Sequence, residues 1–136
     1  MLGKGRLWKS MQKIIILDAN AILRYVIDDI KEQADIVQEI LQNEKVLILP
    51  EVIAEVIYVM TKYYNYPRNE VSEYIVTFLE DADCDSQNVI NAVKTFSNKS
   101  FDFVDCLLYE YSKQEDYEVF TFDKDLNKLI KKRHNF

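Results

Sequence analysis

The chain has 136 residues, about the size of one domain, and 49% of them are hydrophobic, so it can bury a real core. Its 17 Lys and Arg residues against 23 Asp and Glu give a net charge of −6, which argues against a nucleic-acid binder that works through bulk positive charge. The two glycines, Gly3 and Gly5, and the single histidine, His134, lie near the termini, which excludes glycine-rich nucleotide loops and histidine metal clusters.

The N-terminal residues 1–10 differ from the rest, because they contain both glycines, the only Trp and three basic residues. We treat them as a tail, with Met11 as an alternative start, and predict one domain over residues 11–136. The apolar run Ile14–Leu17 is too short for a signal-peptide core, and no stretch reaches transmembrane length. Cys84 and Cys106 have no metal-binding spacing, so we expect a reduced cytoplasmic context and no membrane association.

Apolar periodicity predicts short strands alternating with helices along the chain. Ile14–Leu17 is apolar throughout, which is typical of a strand covered on both faces. The predicted elements are, in chain order, strand Ile14–Leu17, helices Ala19–Ile27 and Lys31–Asn43, strand Val46–Leu49, helices Glu51–Tyr64, Glu70–Glu80, Gln87–Ser97 and Asp102–Gln114, strand Val119–Phe122, and helix Asp125–Lys132. This order predicts an α/β fold with helices on both faces of a parallel sheet, in which ligands bind beyond the carboxyl ends of the strands.

Two of the predicted strands are each followed by a carboxylate. Asp18 comes directly after the first strand, and Asp123 directly after the third. A single Asp at such a position is best explained as a helix N-cap. Both together, on strands expected to be neighbours, favour a shared site, and Asp125 is the better cap for the last helix because it starts the helical pattern.

Two further acids lie in predicted helices. Asp105 has apolar neighbours almost all round its helix and no Lys or Arg nearby in it, so a buried carboxylate there needs a counter-charge such as a metal ion. Glu55 flanks the apolar stripe of its helix, and its alternative role is a boundary residue facing water. Asp102 is predicted to be the N-cap of the helix that contains Asp105.

Acids delivered by separate elements to one pole of a molecule suit a hard divalent cation. Mg²⁺ prefers oxygen ligands and often shares its site between a few carboxylates, water and substrate phosphate. The chemistry that follows is metal-assisted hydrolysis of a phosphodiester, in which the metal neutralises the charge of the transition state.

Four segments resemble the motifs of PIN-domain ribonucleases, particularly the VapC-like toxins of toxin–antitoxin pairs. The resemblance runs from about residue 13 to about residue 130, and the order, spacing and strand–helix placement of the segments carry it. The segments are ILDANAILRY at 16–25 with Asp18, LPEVIAEV at 49–56 with Glu55 rather than Glu51, FDFVD at 101–105 with Asp105, and TFDKDL at 121–126 with Asp123.

The resemblance implies a three-layer α/β/α fold with a short central parallel sheet, cleavage of RNA, dependence on Mg²⁺ or Mn²⁺, and a homodimer. A toxin of this kind is silenced by an antitoxin protein encoded alongside it. Asn20 is then a polar residue near the first acid or else a cap of the first helix, and Thr121 is a polar helper near Asp123. The implied catalytic acids are Asp18, Glu55, Asp105 and Asp123, of which Asp18, Asp105 and Asp123 hold the metal.

Basic and aromatic residues offer contacts to RNA, each with a structural alternative. The charges near the C-terminus are either an RNA contact or a solvated face. The tyrosines at the end of the third predicted helix either stack on bases or pack in the core or at a dimer interface. These residues are Lys128, Lys131, Lys132 and Arg133, and Tyr63, Tyr64 and Tyr66.

Two other functions remain open at this point. A non-catalytic PIN-like binding module would keep the fold and bind no metal, although all four acids are present. A Mg²⁺-dependent phosphotransfer or receiver domain is also α/β with acids at strand ends. Asp18-Ala19-Asn20 resembles the start of haloacid-dehalogenase phosphatases but lacks their second acid, and a receiver needs paired acids after its first strand.

Overall fold

The computed structural model describes residues 13–134, with the side chains of residues 13–131. The predicted tail and Met11 lie outside the described residues. Every predicted helix is present, with ends within two residues of the predicted ones. The elements are β1 (Ile14–Ile16), α1 (Ala19–Ile27), α2 (Lys31–Asn43), β2 (Lys45–Leu47), α3 (Pro50–Lys62), α4 (Arg68–Asp81), α5 (Gln87–Asn98), α6 (Phe103–Ser112) and α7 (Lys124–His134).

Local sequence explains where several helices begin and end. Asp18, Ser86 and Asp102 cap α1, α5 and α6 through their side chains, which satisfy backbone N–H groups of the first turn. Pro50 opens α3, where its missing N–H has no intrahelical partner to lose. Asp28 ends α1 with φ 57°, a left-handed conformation that an Asp tolerates. None of the described helices is long and apolar enough to cross a membrane.

The two strands form a short parallel sheet, which confirms the predicted α/β class. Ile14 pairs with Lys45, and Ile16 pairs with Leu47. Parallel strands end at the same edge of a sheet. Asp18, which follows β1, and the start of α3, which follows β2, therefore both lie near that edge. The sheet therefore sets α1 and α3, which carry two of the predicted acids, side by side.

The expectation that both strands are covered on both faces is wrong for the described residues. Ile15 packs against the core, whereas Ile14, Ile16 and Leu47 are exposed. Side chains alternate between the faces of a strand, so one face of this small sheet packs on helices and the other stays open in the described part of the chain.

The predicted third strand, Val119–Phe122, is also wrong. Residues 117–123 form an irregular segment, in which Phe120 and Phe122 are 81% and 89% exposed and contact each other at 5.2 Å between ring centroids. The side-chain amide of Asn127 in α7 donates to the backbone carbonyl of Thr121 at 2.7 Å, so this acceptor is bound by a helix rather than by a sheet. A short apolar run does not by itself specify a strand.

The core lies between the sheet and the helices, and it positions α6. Its most deeply buried side chains come from α1, α3, α4 and α5, among them Ile22, Ile53, Met60, Ile75 and Phe78. Helix α6 packs on α5 and α3, and α7 packs on α6. The helices that carry Glu55, Asp105 and Asp125 are therefore neighbours in space.

Candidate active site

Two of the predicted acids cap helices with one carboxylate oxygen each. Asp18 Oδ1 accepts from the backbone N–H of Ala21 at 2.8 Å, and Asp123 Oδ1 accepts from that of Leu126 at 2.8 Å. Both side chains stay exposed, so each keeps an oxygen for another ligand. The expectation that Asp125 caps the last helix is wrong, because Asp123 makes the capping bond and Asp125 lies in the first turn.

Thr121 fixes the backbone that carries Asp123. Its Oγ1 accepts a hydrogen bond from the Asp123 N–H at 3.0 Å, and its carbonyl accepts from the Asn127 amide. These bonds tie the irregular segment to α7 and hold the Asp123 carboxylate at the helix terminus. The predicted helper residue therefore lies beside its acid.

Asp105 and Asp123 line one open cleft between the start of α6 and the start of α7, which we call the acid cleft. The cleft has a volume of about 890 Å³. Its charged lining consists of four carboxylates and two ammonium groups, from Asp102, Asp105, Asp123, Asp125, Lys99 and Lys128. The irregular segment thus places Asp123 in the same cleft as Asp105, even though it forms no strand.

Burial and the neighbouring carboxylates both disfavour the charged form of Asp105 in the cleft. Burial raises the pKa of Asp105, and the negative charges of Asp102 and Asp123 raise it further. The Asp105 side chain is half-buried rather than enclosed by apolar neighbours, because α6 leaves its first turn open to the cleft. A cation bound between Asp105 and Asp123 would relieve this repulsion.

The other two predicted acids do not line this cleft. Glu55 is exposed in the second turn of α3, and Asp18 is exposed at the start of α1. Among the side chains of residues 13–131, no three Asp, Glu, His or Cys groups are placed to hold a metal ion together. The structure therefore brings Asp105 and Asp123 together, whereas the roles of Asp18 and Glu55 stay predictions.

The chemistry of the cleft fits a hard divalent cation with few protein ligands. Mg²⁺ is usually bound by one or two carboxylates and keeps the rest of its octahedral sphere in water and substrate phosphate. Asp105 and Asp123 supply that number of carboxylates in one solvent-open place. The open cleft also leaves room for a phosphate group.

Asn20 lies exposed in the first turn of α1. The alternative in which it caps this helix is wrong, because Asp18 makes the capping bond. Its predicted role near the metal stays a prediction.

Arg68 is a structural residue behind the site that the sequence did not reveal. Its guanidinium lies 3.6 Å from the centroid of the Phe96 ring, Nε donates to the Phe96 carbonyl at 3.0 Å, and Nη2 donates to the Phe101 carbonyl. These contacts hold the connection that leads into Asp102 and α6. Its partners are 28 and 33 residues away, so no local pattern indicates them.

Glu110, the buried carboxylate of α6, was also missed. It accepts hydrogen bonds from Thr95 Oγ1 at 2.8 Å and from Lys113 Nζ at 3.2 Å. The spacing of Glu110 and Lys113, three residues apart in a helix, was the available signal. Of the two acids in α6, it is Glu110 that is buried and neutralised by protein groups, while Asp105 faces the cleft.

Comparison with known proteins gives one match. The model of the PIN domain family matches residues 15–132, a range that runs from β1 into α7 and includes all four predicted acids. No curated protein and no solved structure matches the chain.

Proposed function

The chain belongs to the PIN domain family, whose members are generally nucleases, and from this premise we propose that it is an endoribonuclease dependent on Mg²⁺ or Mn²⁺. The observation that carries the proposal is the cleft in which Asp105 and Asp123, delivered by different elements, lie close enough for the charge of one to raise the pKa of the other. Carboxylates gathered in this way, with no Lys or Arg bridging them among the ion pairs of the described residues, suit a hard cation.

In this proposal Asp105 and Asp123 hold the cation and Asp18 is the third ligand. A cation held there would supply charge neutralisation at the phosphate and activation of a water. Lys99 and Lys128 line the same cleft and attract the phosphate. The capping bond and Thr121 keep the Asp123 carboxylate in place, so it does not reorganise when substrate binds.

Asp18 and Glu55 would complete the site from the neighbouring helices. Both belong to elements that start at the carboxyl edge of the sheet, where ligands bind in α/β folds. Both side chains are exposed, and Asp18 keeps one carboxylate oxygen outside its capping bond. We assign them to the site on this placement and on the motifs of the sequence.

Cleavage of RNA tests the proposed activity directly. The protein should cut a mixed RNA pool in Mg²⁺ or Mn²⁺, lose this activity in EDTA, and regain it when the cation is restored. Cleavage that persists in EDTA, or no cleavage with either cation, would contradict the proposal.

We propose further that the nuclease is a VapC-like toxin with an antitoxin as its partner. The four motifs support this subtype, and the acidic cleft complements a basic side chain of an inhibitor. A small DNA-binding reading frame next to the gene, whose product binds the protein and stops cleavage, is the expected finding.

Cys84 and Cys106 are both free, which supports a reducing cytoplasmic location.

The second candidate is a PIN-like binding module without catalysis. It is favoured by the lack of three metal-binding side chains in one place among the described side chains, those of residues 13–131. Titration calorimetry separates the two candidates, because a nuclease binds Mg²⁺ or Mn²⁺ at millimolar concentration and a binding module does not. Membership in the PIN family argues against the phosphotransfer and receiver alternatives.

A further inference from the structure

A second groove adjoins the acid cleft. It has a volume of about 570 Å³, within the range of about 300–1,000 Å³ that is usual for ligand pockets. Ser100 and Asp102 line both cavities, so the groove and the cleft are adjacent. One wall of the groove is the α3 surface with Tyr58 and Lys62, and the other is the start of α6 with Val104.

The groove combines exposed apolar walls with a buried apolar floor. Tyr58 is 56% exposed, and Val104 on the other wall is also exposed. Ile57 and Phe103 form part of the floor and are buried in the core. An exposed aromatic ring beside a shallow apolar slot offers a stacking face to a flat ligand.

Three lysines around the groove and the cleft offer contacts to the phosphates on either side of that ligand, beside the carboxylates of the cleft. Lys62 is exposed on the Tyr58 wall, and Lys99 and Lys128 line the adjoining cleft. The Arg68 guanidinium is bound by two backbone carbonyls and by the Phe96 ring, so we count it as part of the groove's floor and not as a phosphate contact. Although the chain carries a net negative charge, it places Lys62 at the groove and Lys99 and Lys128 at the adjoining cleft.

We propose that this groove binds one unpaired base of the RNA substrate, stacked on Tyr58, beside the phosphate that is cut in the acid cleft. The proposal rests on the proposed nuclease function and adds that the substrate is single-stranded at this point. Bases in a duplex are stacked on their neighbours, whereas unpaired bases are free to stack on a side chain. Stacking is tolerant of sequence, since every base has a π-face.

Binding of a short fluorescent oligouridine, followed by fluorescence anisotropy, tests the groove. All proteins carry Asp105→Asn so that the RNA is not cut during the titration. Tyr58→Ala should weaken binding roughly 5- to 150-fold, which corresponds to the stacking of one base. Tyr58→Phe keeps the ring and should bind as tightly as the parent protein.

Tyr117→Ala is the matched control. Tyr117 is 53% exposed and contacts Tyr111 edge-on, much as Tyr58 contacts Tyr63, but it lines neither cavity. It should bind oligouridine like the parent protein. Oligouridines with one abasic position, moved along the strand, should show one position at which Tyr58→Ala no longer matters.

The outcomes separate the two proposals. If Tyr58→Ala binds no more weakly than Tyr117→Ala while the wild-type protein cleaves RNA, the base site is wrong and the nuclease stands. If Tyr58→Ala loses self-association instead of RNA affinity, the groove is a contact between copies and the base site is wrong. If the parent protein binds no RNA and the wild type cuts none, both proposals fall.

Discussion

At the scale of single residues, Asp123 caps a helix and still presents its side chain to the cleft of the proposed active site. Its Oδ1 accepts the N–H of Leu126, while the side chain stays exposed in the acid cleft. The positive end of the helix dipole also favours the ionised carboxylate there. Asp18 also caps its helix, α1, with one carboxylate oxygen and stays exposed.

Substitutions at Asp123 separate the two roles. Asp123→Asn keeps a good capping residue, so stability should change by only a few tenths of a kcal/mol, whereas RNA cleavage should fall by orders of magnitude because the ligand charge is lost. Asp123→Ala should lose the activity and about 1 kcal/mol of stability as well. Urea denaturation and the cleavage assay measure both effects, and an active, stable Asp123→Asn would remove this acid from the site.

Tyr25 should make the free energy of unfolding depend on pH in the alkaline range. Burial and the hydrogen bond from its hydroxyl to Asp81 at 2.8 Å raise the pKa of Tyr25 to about 12. The folded state therefore holds this proton more tightly than the unfolded state, whose tyrosine titrates near 10.0. The contribution to stability should be complete below pH 10.0 and be lost as pH rises toward about 12.

Tyr25→Phe has no proton to lose and serves as the comparison. The difference in unfolding free energy between the wild type and Tyr25→Phe, measured in urea, should be constant below pH 10.0 and shift in favour of the variant above it. A difference that is flat across this range would contradict the assigned coupling of Tyr25 to Asp81.

At the scale of elements, the helices were predictable and the sheet was less so. Each helix carries its own apolar stripe and local end signals such as Pro50 and Asp102, and these signals need no distant partner. The segment 119–122 has the apolar composition of a strand, but strand formation depends on a neighbouring edge that local sequence does not specify. The acids Asp105 and Asp123 were predicted together, while Arg68 acts through carbonyls far along the chain.

Glu110 joins α6 to α5 and should be important for stability. Glu110→Ala removes the acceptor for Thr95 and Lys113 and should destabilise the protein by about 1–3 kcal/mol, because two partly buried donors lose a charged acceptor. Thr95→Val removes the neutral donor alone and should cost less. Denaturant titration checks both variants, and an unchanged midpoint for Glu110→Ala would show that this contact carries no net stability.

At the scale of the whole molecule, exposed apolar groups support the proposed homodimer. They lie on the open face of the sheet and in the irregular segment, at Ile14, Ile16, Leu47, Phe120 and Phe122. Large apolar groups exposed at a surface often mark a protein contact, and symmetric pairs are the commonest assembly. Light scattering at tens of micromolar protein should give twice the 16.1 kDa chain mass.

A double substitution of the two phenylalanines by serine tests which surface forms the dimer. Phe120 and Phe122 contact each other and not the core, so the variant should fold normally and become monomeric. A monomeric mass for the wild type would contradict the dimer, and a dimeric variant would place the contact elsewhere.

Asp105→Asn provides the most direct measurement, because the proposed activity depends on the charge of this half-buried carboxylate beside Asp102 and Asp123. EDTA-sensitive cleavage of a mixed RNA pool is compared between the wild type and the variant, with thermal melts of both. Cleavage should fall by orders of magnitude, while the melting midpoint holds or rises because repulsion in the cleft is relieved. Full cleavage by a folded Asp105→Asn would contradict the metal site and the nuclease mechanism built on it.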